Sequence, residues 1–459
     1  MASNQGAPPP SERELRLWKV GRALTLAFVA AVLVAGGIFY GLVVLLDFKE
    51  IDTAAKLDAK TLFDLVKLSF GVVAGAGALV ALVVAYRRQR VDEAGAHREA
   101  TRLHTERFSQ AVDKLGSDSP AVRLGGVHAL AGLADDAPTQ DLRQTCIDVL
   151  CAYLRLPFAP DPGEDPAHQE ERHRYLALRA VRHTILRLIG DHLRRPMGTQ
   201  RSWQGCDLDL TGVVIDGIMS FSGAKFSSCM VDFSGATFSD GSAHFNGATF
   251  SSGIVNFSGA TFTGGTVDFS GATFTGALVD FTRATFSGGV VHFDRATFSG
   301  GMVNFNAAAF SGGTVNFSGA AFSDGAVNFS GAAFCDGAVY FEDAAFSGSA
   351  VYFNGAAFSG GTVLFHHAAF SGGMVKFTGA DFSGGMVHFV DAVYSGGTVD
   401  FTGAAFSGGR VNFGGAVLSG GTVDFTGAAG PAPNELLTAF STPGSATVVL
   451  PPAWLTPVA

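Results

Sequence analysis

A twelve-residue repeat, running from about Phe221 to Phe425, constrains the fold more than any other feature of the sequence. Segments such as VNFSGATFTGGT follow one another about seventeen times, and phenylalanine recurs in alternating steps of five and seven residues. This grid holds 33 of the 41 phenylalanines in the chain. Because a unit of this length cannot enclose a core by itself, the copies must stack on one another into a solenoid.

Each unit contains two apolar pairs spaced two residues apart, such as Val231 with Phe233 and Ala236 with Phe238. This spacing places both side chains on one face of an extended segment, whereas in a helix they would not face each other. The Ser-Gly and Ser-Gly-Gly sequences between the pairs favour tight corners. The repeat therefore predicts a β-solenoid of short strands that alternate with corners. Its predicted core includes Phe233, Phe238, Phe269, Phe274, Phe305 and Phe310.

The five-residue frames A-T-F-S-G and V-D-F-S-G resemble those of the pentapeptide-repeat family. The resemblance implies a right-handed, four-sided β-helix with one pentapeptide on each side. In that fold the central large residue and the small residue two positions before it point inward. The present repeat differs from the family pattern by two residues inserted after every second pentapeptide.

Two coil sizes are compatible with this repeat. A four-sided coil needs two repeat units per rung, whereas a two-sided coil needs only one unit. We favour the four-sided coil, because two phenylalanines in each thin two-sided rung would crowd the interior. Tyr394 and Leu418, which both replace phenylalanine and lie two repeat units apart, point weakly to the larger coil.

Two long uncharged runs precede the repeats, at residues 23–46 and 68–86. Each has the length of a transmembrane helix, so residues 21–90 are predicted to form a two-helix transmembrane hairpin. Basic residues precede the first run and follow the second, which predicts a cytoplasmic location for both termini and the repeat domain. The sequence thus predicts a multi-pass protein of the cell membrane, with the lipid bilayer as a partner. Residues 1–20 are polar and proline-rich, and are predicted to form a disordered cytoplasmic N-terminus.

Residues 91–200 are predicted to form a small, cytoplasmic, all-helical connector domain. Helix starts are indicated by Ser119-Pro120, by Thr139 and by Asp165-Pro166, since hydroxyl or carboxylate side chains at the N-cap and proline at the first helical position favour them.

The segment from 106 to 136 (ERFSQAVDKLGSDSPAVRLGGVHALAGLADD) resembles the connector of bacterial membrane-anchored pentapeptide-repeat proteins. The solenoid is expected to occupy residues 201–429. Residues 430–459 either cap its last coil or form a loose tail, and the sequence leaves both alternatives open.

The sequence contains none of the motifs that commonly carry catalysis or nucleotide binding. It has no G-x-x-x-x-G-K-[ST] loop, no G-x-S-x-G elbow and no H-E-x-x-H helix. Its five cysteines are scattered and include no Cys-x-x-Cys pair, so neither a disulfide framework nor a zinc site is expected. We therefore predict a protein that is not an enzyme and has no cofactor, metal or small-molecule substrate.

One outward column of the repeat is a candidate binding stripe, formed by the residue before the phenylalanine that follows each seven-residue step. Aligned polar side chains of this kind make either a binding surface or a solvated face. The first seven members are Asp232, His244, Asn256, Asp268, Asp280, His292 and Asn304.

These features predict a membrane-anchored, non-enzymatic scaffold that presents the solenoid surface to an unidentified protein partner. The net charge of −9 disfavours binding to nucleic acid. The alternative comes from a branch of the pentapeptide-repeat family that mimics DNA and binds type II topoisomerases. Residues 206–429 hold 16 acidic and 5 basic residues, a net of −11, which is moderate for DNA mimicry. A homo-oligomer is compatible with the sequence.

Overall fold

The computed structural model describes residues 59–159, 161–227, 229–239, 241–433 and 446–455, together with isolated positions at 29, 32, 33, 36, 37, 40 and 436. The predicted disordered segment 1–20 lies outside these residues, as does the predicted first membrane span 23–46 apart from six isolated positions. By its internal contacts the chain divides into two compact units, residues 1–102 and 103–459.

Helix α1 (Ala59–Leu115), the first one whose bounds the structure describes, contains the whole of the second predicted membrane span, residues 68–86. That run is therefore not a separate helix between loops. The same helix continues on both sides of it through charged residues, among them Lys60 and Arg87. Within the part of the chain that the structure describes, no helix is long and apolar enough to cross a membrane. This finding contradicts the predicted transmembrane hairpin and the predicted multi-pass location in the cell membrane.

Three further helices precede the repeats: α2 (Pro120–Asp135), α3 (Gln140–Arg155) and α4 (Gln169–Leu193). A short 3-10 turn (Pro166–His168) leads into α4, and a one-turn helix, α5 (Pro452–Leu455), follows the repeats. Helices α2 and α3 begin where the sequence indicates, and at the predicted start Asp165-Pro166 it is the 3-10 turn before α4 that begins. Pro120 occupies the first turn of α2, and the Thr139 hydroxyl accepts a hydrogen bond from the Leu142 amide at 3.3 Å. The Asp165 carboxylate caps the 3-10 turn by accepting from the Ala167 amide at 2.9 Å.

The repeats form the predicted β-solenoid, with two repeat units in each rung. Phe262 pairs with Phe238 in one neighbouring rung and with Phe286 in the other, in parallel strands. The same register of two units recurs throughout the repeats. The structure therefore has the larger of the two predicted coils, and each rung has four sides.

Four faces run along the solenoid, with strands numbered in chain order. Faces 1 and 3 are wide, because most of their strands have three residues, and faces 2 and 4 are narrow, with two-residue strands. Face 1 consists of β1 (Leu208–Asp209), β5 (Cys229–Asp232), β9 (Gly253–Asn256), β13 (Leu278–Asp280), β17 (Met302–Asn304), β21 (Ala326–Asn328), β25 (Ala350–Tyr352), β29 (Met374–Lys376), the second halves of β32 (Val393–Asp400) and β35 (Val417–Asp424), and β36 (Thr447–Val449). Face 3 consists of β3 (Ile218–Ser220), β7 (Ser242–His244), β11 (Thr266–Asp268), β15 (Val290–His292), β19 (Thr314–Asn316), β23 (Ala338–Tyr340), β27 (Thr362–Leu364), β31 (Met386–His388) and β34 (Arg410–Asn412).

The narrow faces lie between the wide ones. Face 2 consists of β2 (Val214–Ile215), β6 (Thr237–Phe238), β10 (Thr261–Phe262), β14 (Thr285–Phe286), β18 (Ala309–Phe310), β22 (Ala333–Phe334), β26 (Ala357–Phe358), β30 (Asp381–Phe382) and β33 (Ala405–Phe406). Face 4 consists of β4 (Lys225–Phe226), β8 (Thr249–Phe250), β12 (Thr273–Phe274), β16 (Thr297–Phe298), β20 (Ala321–Phe322), β24 (Ala345–Phe346), β28 (Ala369–Phe370) and the first halves of β32 and β35. Among the described strands, only β32 and β35 continue around a corner, from face 4 to face 1.

Phenylalanine rings fill the interior in continuous stacks. The rings of Phe281 and Phe305, one rung apart, are nearly parallel, with centroids 4.8 Å apart. Phe281 and Phe293, from opposite wide faces, meet edge to face at 6.2 Å, an arrangement that aromatic quadrupoles favour. All six phenylalanines of the predicted core lie in these stacks and are 3% exposed or less. Tyr394 and Leu418 occupy successive rungs of one stack, directly above Phe370.

The two inserted residues form the corners that lead into the wide faces. At many of these corners the backbones of adjacent rungs approach so closely that a side chain would overlap the neighbouring rung, although Asp324, Asp336 and Ser349 occupy equivalent positions elsewhere. A Cβ atom on Gly300 would overlap the carbonyl group of Thr275 in the rung below. The next residue, Gly301, has φ of +76°, a conformation that residues with a side chain seldom adopt. The Gly-Gly pairs therefore follow from rung stacking.

Both ends of the solenoid are covered. At the start, Gly190 of α4 packs against the backbone of Ser220 and the ring of Phe221. At the other end, β36 pairs with β35, and the Trp454 ring lies 5.3 Å from that of Phe425. The Trp454 indole donates to the Gly430 carbonyl at 2.8 Å. The described C-terminal residues thus cap the last coil, which was one of the two alternatives left open.

Candidate interaction surface

The lateral surface of the solenoid is the part of the repeats that remains accessible, since the interior is packed with side chains and both ends are covered. Each strand of a wide face points its middle residue inward and its first and third residues outward, so that a wide face carries two outward columns. A narrow face carries one outward column. The outward columns of the wide faces hold most of the chemical variety.

The seven residues of the predicted stripe do not form one column. One repeat unit is half a rung, so successive copies of the repeat alternate between opposite wide faces. His244, Asp268 and His292 lie on face 3. The other four, Asp232, Asn256, Asp280 and Asn304, lie on face 1.

The four stripe residues on face 1 hold the following corner in place. An oxygen of Asp232 accepts a hydrogen bond from the Ser234 amide at 2.8 Å, and Asp280 does the same for Thr282 at 2.9 Å. Side chains of aspartate and asparagine commonly close turns in this way. Asn256 also donates to Asp232 at 3.1 Å, which links two rungs. The polar character of the column therefore follows from the corners, and its second carboxylate oxygens remain at the surface.

The other outward column of face 1 is apolar, and sequence reasoning missed it. The methionine and isoleucine side chains of this column are 36–43% exposed to solvent. The members are Met230, Ile254, Leu278, Met302, Ala326, Ala350 and Met374. With a period of two repeat units, alternate copies of the same position belong to different faces. This period separates the apolar column of face 1 from the polar residues at the same position on face 3.

The corner between faces 3 and 4 carries a cluster of histidines and carboxylates. His366 lies 3.6 Å from Glu342, and His367 lies 3.7 Å from Asp391. The rings of His366 and His388 stack with centroids 5.8 Å apart. Burial, together with the neighbouring His366 and Arg410, lowers the pKa of His388.

Backbone geometry in this cluster differs from that of most corners. His367 has φ of +56°, at a position where most rungs have glycine. Asp343 and Asp391, one rung to either side, have φ of +55° and +56°. Asp and His tolerate this conformation better than most residues do. Three charged or titratable groups thus occupy successive rungs at one corner.

The described ranges contain a close cysteine–histidine pair, but no group of three or more His, Cys, Asp or Glu residues there is arranged to hold a metal ion. Cys146 lies 3.8 Å from His104, but burial raises the pKa of Cys146 to about 11 and lowers that of His104. This pair therefore stays neutral at physiological pH, and the thiol is a weak nucleophile.

A half-buried carboxylate, Asp216, joins helix α4 to the first rung. The Tyr175 hydroxyl donates to it at 2.5 Å, and Arg179 and His183 approach it at 3.4 and 3.6 Å. Burial alone would raise the pKa of Asp216, but the hydrogen bonds from His183 and Tyr175, together with Arg179, lower it to about 2. Burial and the same carboxylate raise the pKa of Tyr175 to about 12. The cluster is a structural anchor for the helical cap.

Comparison with known proteins identifies the repeats but no individual relative. A family model described as Pentapeptide repeats (9 copies) matches residues 252–291, which lie in the first half of the solenoid. This match agrees with the resemblance of the five-residue frames and with the β-solenoid. No curated protein and no solved structure matches the chain.

Proposed function

We propose that this chain is a non-enzymatic scaffold that binds other proteins through the lateral surface of its solenoid. The observation that carries the proposal is that the interior is filled and both ends are covered, so that the outward columns are what the repeats offer to a partner. A stack of identical rungs is rigid and presents its outward side chains at fixed spacing. Both properties suit recognition.

The wide faces are the preferred binding surfaces, because each rung presents two outward side chains there. They differ in chemistry. Face 1 exposes an apolar column, whereas face 3 and its corner with face 4 expose histidines, carboxylates and Tyr340. Tyrosine is enriched in protein interfaces. Two unlike surfaces on one rod can hold two different partners.

The DNA-mimic alternative is favoured by no observation on the described surface. Mimicry of DNA needs dense rows of negative charge along the rod. The outward column of face 4 is instead uncharged from Thr249 to Val417. On face 1, the acidic column is interrupted by asparagine, by Tyr352 and by Lys376.

Site-specific photo-crosslinking in the native host tests the scaffold proposal. A photoreactive residue replaces one outward residue on each face of the full-length chain: Met302 on face 1, Ala333 on face 2, Tyr340 on face 3 and Ala321 on face 4. We expect defined protein adducts from the wide-face positions and few from the narrow ones. An absence of adducts from the wide-face positions, or equal labelling of all four faces, would contradict the proposal.

A further inference from the structure

We propose that face 1 is a self-association surface, on which a second copy of this chain docks face to face with its rod antiparallel to the first. This inference rests on the proposed scaffold function and names one partner for the same lateral surface. It places a two-fold axis at the rung of Met302. The apolar column of face 1 forms the centre of the interface, and the polar column beside it forms the rim.

The apolar column has the properties of an uncovered interface. Its seven members occupy seven successive rungs without a charged or polar residue among them. Met302, at the middle, is 43% exposed. A contiguous row of exposed and half-buried apolar side chains on the outside of a protein indicates a binding site. The equivalent column of face 3 is different, since it contains Ser242, Thr266 and Arg410.

The spacing of the column favours a second solenoid as the occupant. Rungs of a β-solenoid repeat at about 4.8 Å, so the seven rungs span about 29 Å. An α-helix laid along them repeats at about 5.4 Å per turn and would drift by about 3.6 Å over that length. An extended strand, with side chains of one face about 6.8 Å apart, would fit less well. A second copy has the same spacing and stays in register along the whole column.

An antiparallel two-fold axis matches large side chains with small ones. The axis runs parallel to the strands, so the order of the rungs is reversed in the second copy. The apolar column still faces the partner's apolar column, and the polar column faces the partner's polar column. With the axis at Met302, Leu278 faces the partner's Ala326, and Ile254 faces the partner's Ala350. Met230 and Met374 then face each other at both ends of the column. The bulky half of the column therefore packs on the small half, which gives close packing without gaps.

The same axis also matches charge in the polar column. Asp232 faces the partner's Lys376, and the symmetry makes this pair twice. Asp232 uses one oxygen for its corner, which leaves the other for the lysine. Asp400 faces the partner's Asp209, a carboxylate already paired with Arg155 of its own chain. Moving the axis one rung towards the C-terminal end would still pair Lys376, with the partner's Asp280, but it would place Asp232 against Asp424, a repulsive pair with no cation beside Asp232.

The test begins with the oligomeric state of the full-length chain, measured by light scattering and sedimentation over a range of concentrations. We expect a dimer for the wild-type chain. Met302→Asp places two carboxylates against each other on the two-fold axis, and is expected to raise the dimer dissociation constant by about a hundredfold or more. Met386→Asp is the matched control, because Met386 is a methionine in the corresponding column of face 3 and is 38% exposed. It should leave the dimer intact.

A charge reversal tests the orientation. Lys376→Asp should weaken the dimer, and the double variant D232K/K376D should restore it, because the pair is re-formed with its signs exchanged. If either residue acted only within its own chain, the double variant would not restore the dimer. Failure of the rescue, with both variants still folded by circular dichroism, would overturn the antiparallel arrangement. The rescue is therefore independent of any small loss of stability at the Asp232 corner.

Disulfide trapping provides a second measurement at the axis. In a C335S background, which removes the exposed thiol of Cys335, M302C should form a covalent dimer under mild oxidation, and M386C should not. A wild-type chain that stays monomeric at all concentrations would overturn self-association. If host proteins still crosslinked to face 3 in that case, the scaffold proposal would stand, so the two failures are distinguishable.

Discussion

Faces 1 and 3 have similar strand lengths, glycine-rich corners and mostly valine at the inward position, yet their outer surfaces are unlike. Face 1 joins an apolar column to a column made mostly of aspartate and asparagine, whereas face 3 mixes hydroxyl, aromatic and histidine side chains with a few Asp and Asn residues such as Asp268 and Asn316. The inward positions are alike because all rungs share one interior. The outward residues differ between the two faces. The chemistry of the outer surface therefore repeats with the whole rung, which is two repeat units, and not with the single unit. The predictions below separate what the two faces share from what distinguishes them.

The shared interior should give the largest effect. Phe305→Asp places an unpaired carboxylate among stacked rings, where the wild-type side chain is fully buried, and we expect a loss of about 4 kcal/mol or more. The control is Asn304→Asp, one residue earlier and outward on face 1, which should change stability by less than about 1 kcal/mol. Thermal unfolding followed by circular dichroism measures both. Equal melting temperatures for the two variants would show that Phe305 is not an interior residue.

The glycine corners before the wide faces should give the next largest effect. Gly300→Ala creates an overlap with the Thr275 carbonyl of the adjacent rung, and should cost about 2–3 kcal/mol because backbone must move. Gly271→Ala, at a corner after face 3 where φ is +63° and no atom lies within 4 Å, should cost only about 1 kcal/mol. Denaturant unfolding of the two variants compares overlap with backbone strain. A smaller loss for Gly300→Ala than for Gly271→Ala would contradict the close approach of rungs.

Face 3 differs from face 1 at its first strand, because the corner before that strand contains Asp216. The folded pKa of Asp216, about 2, is below the value of about 4 for a free aspartate. Its stabilisation is therefore complete above about pH 4 and is lost as the pH falls towards 2. Asp216→Asn should cost about 2 kcal/mol at neutral pH. The difference in stability between wild type and variant should shrink on acidification, and a constant difference from pH 7 to pH 2 would exclude this carboxylate as the source.

The interior of the solenoid was predictable because one physical requirement repeats in every unit. Phenylalanine at alternating steps of five and seven residues allows few arrangements other than stacked coils, and Tyr394 with Leu418 already indicated a rung of two repeat units. The glycine pairs were interpreted only as tight corners, since the approach of neighbouring rungs cannot be seen in a single unit. The predicted stripe was drawn at half the true period, so it joined Asp232 to His244, which lie on opposite faces.

The N-terminal predictions were the least successful, because they were based on local composition. An uncharged run at residues 68–86 was taken as a complete helix, but the structure makes it one part of the 57-residue helix α1. A hydropathy profile identifies an apolar segment, but it does not locate the residues where helical hydrogen bonding begins and ends. Helical hydrogen bonding does not end within residues 68–86. The repeats avoided this error because Ser-Gly and Gly-Gly mark every boundary in the chain itself.

The corner bonds, which most described rungs of face 1 make and which Asp268, Asn316 and Asn412 make on face 3, should give the smallest effect. Asp280→Ala removes the carboxylate that accepts from the Thr282 amide, and should cost about 1 kcal/mol. His292→Ala, at the equivalent position of face 3, removes a half-buried contact with Asp294 at 2.9 Å but no bond to the backbone, and should cost less than about 0.5 kcal/mol. Chemical denaturation of both variants measures the difference. In most described rungs of face 1 an Asp or Asn side chain accepts the same hydrogen bond from a corner amide. A stabilisation of this size in each rung explains why that column stays polar. The apolar column beside it makes no such bond and remains free to form an interface.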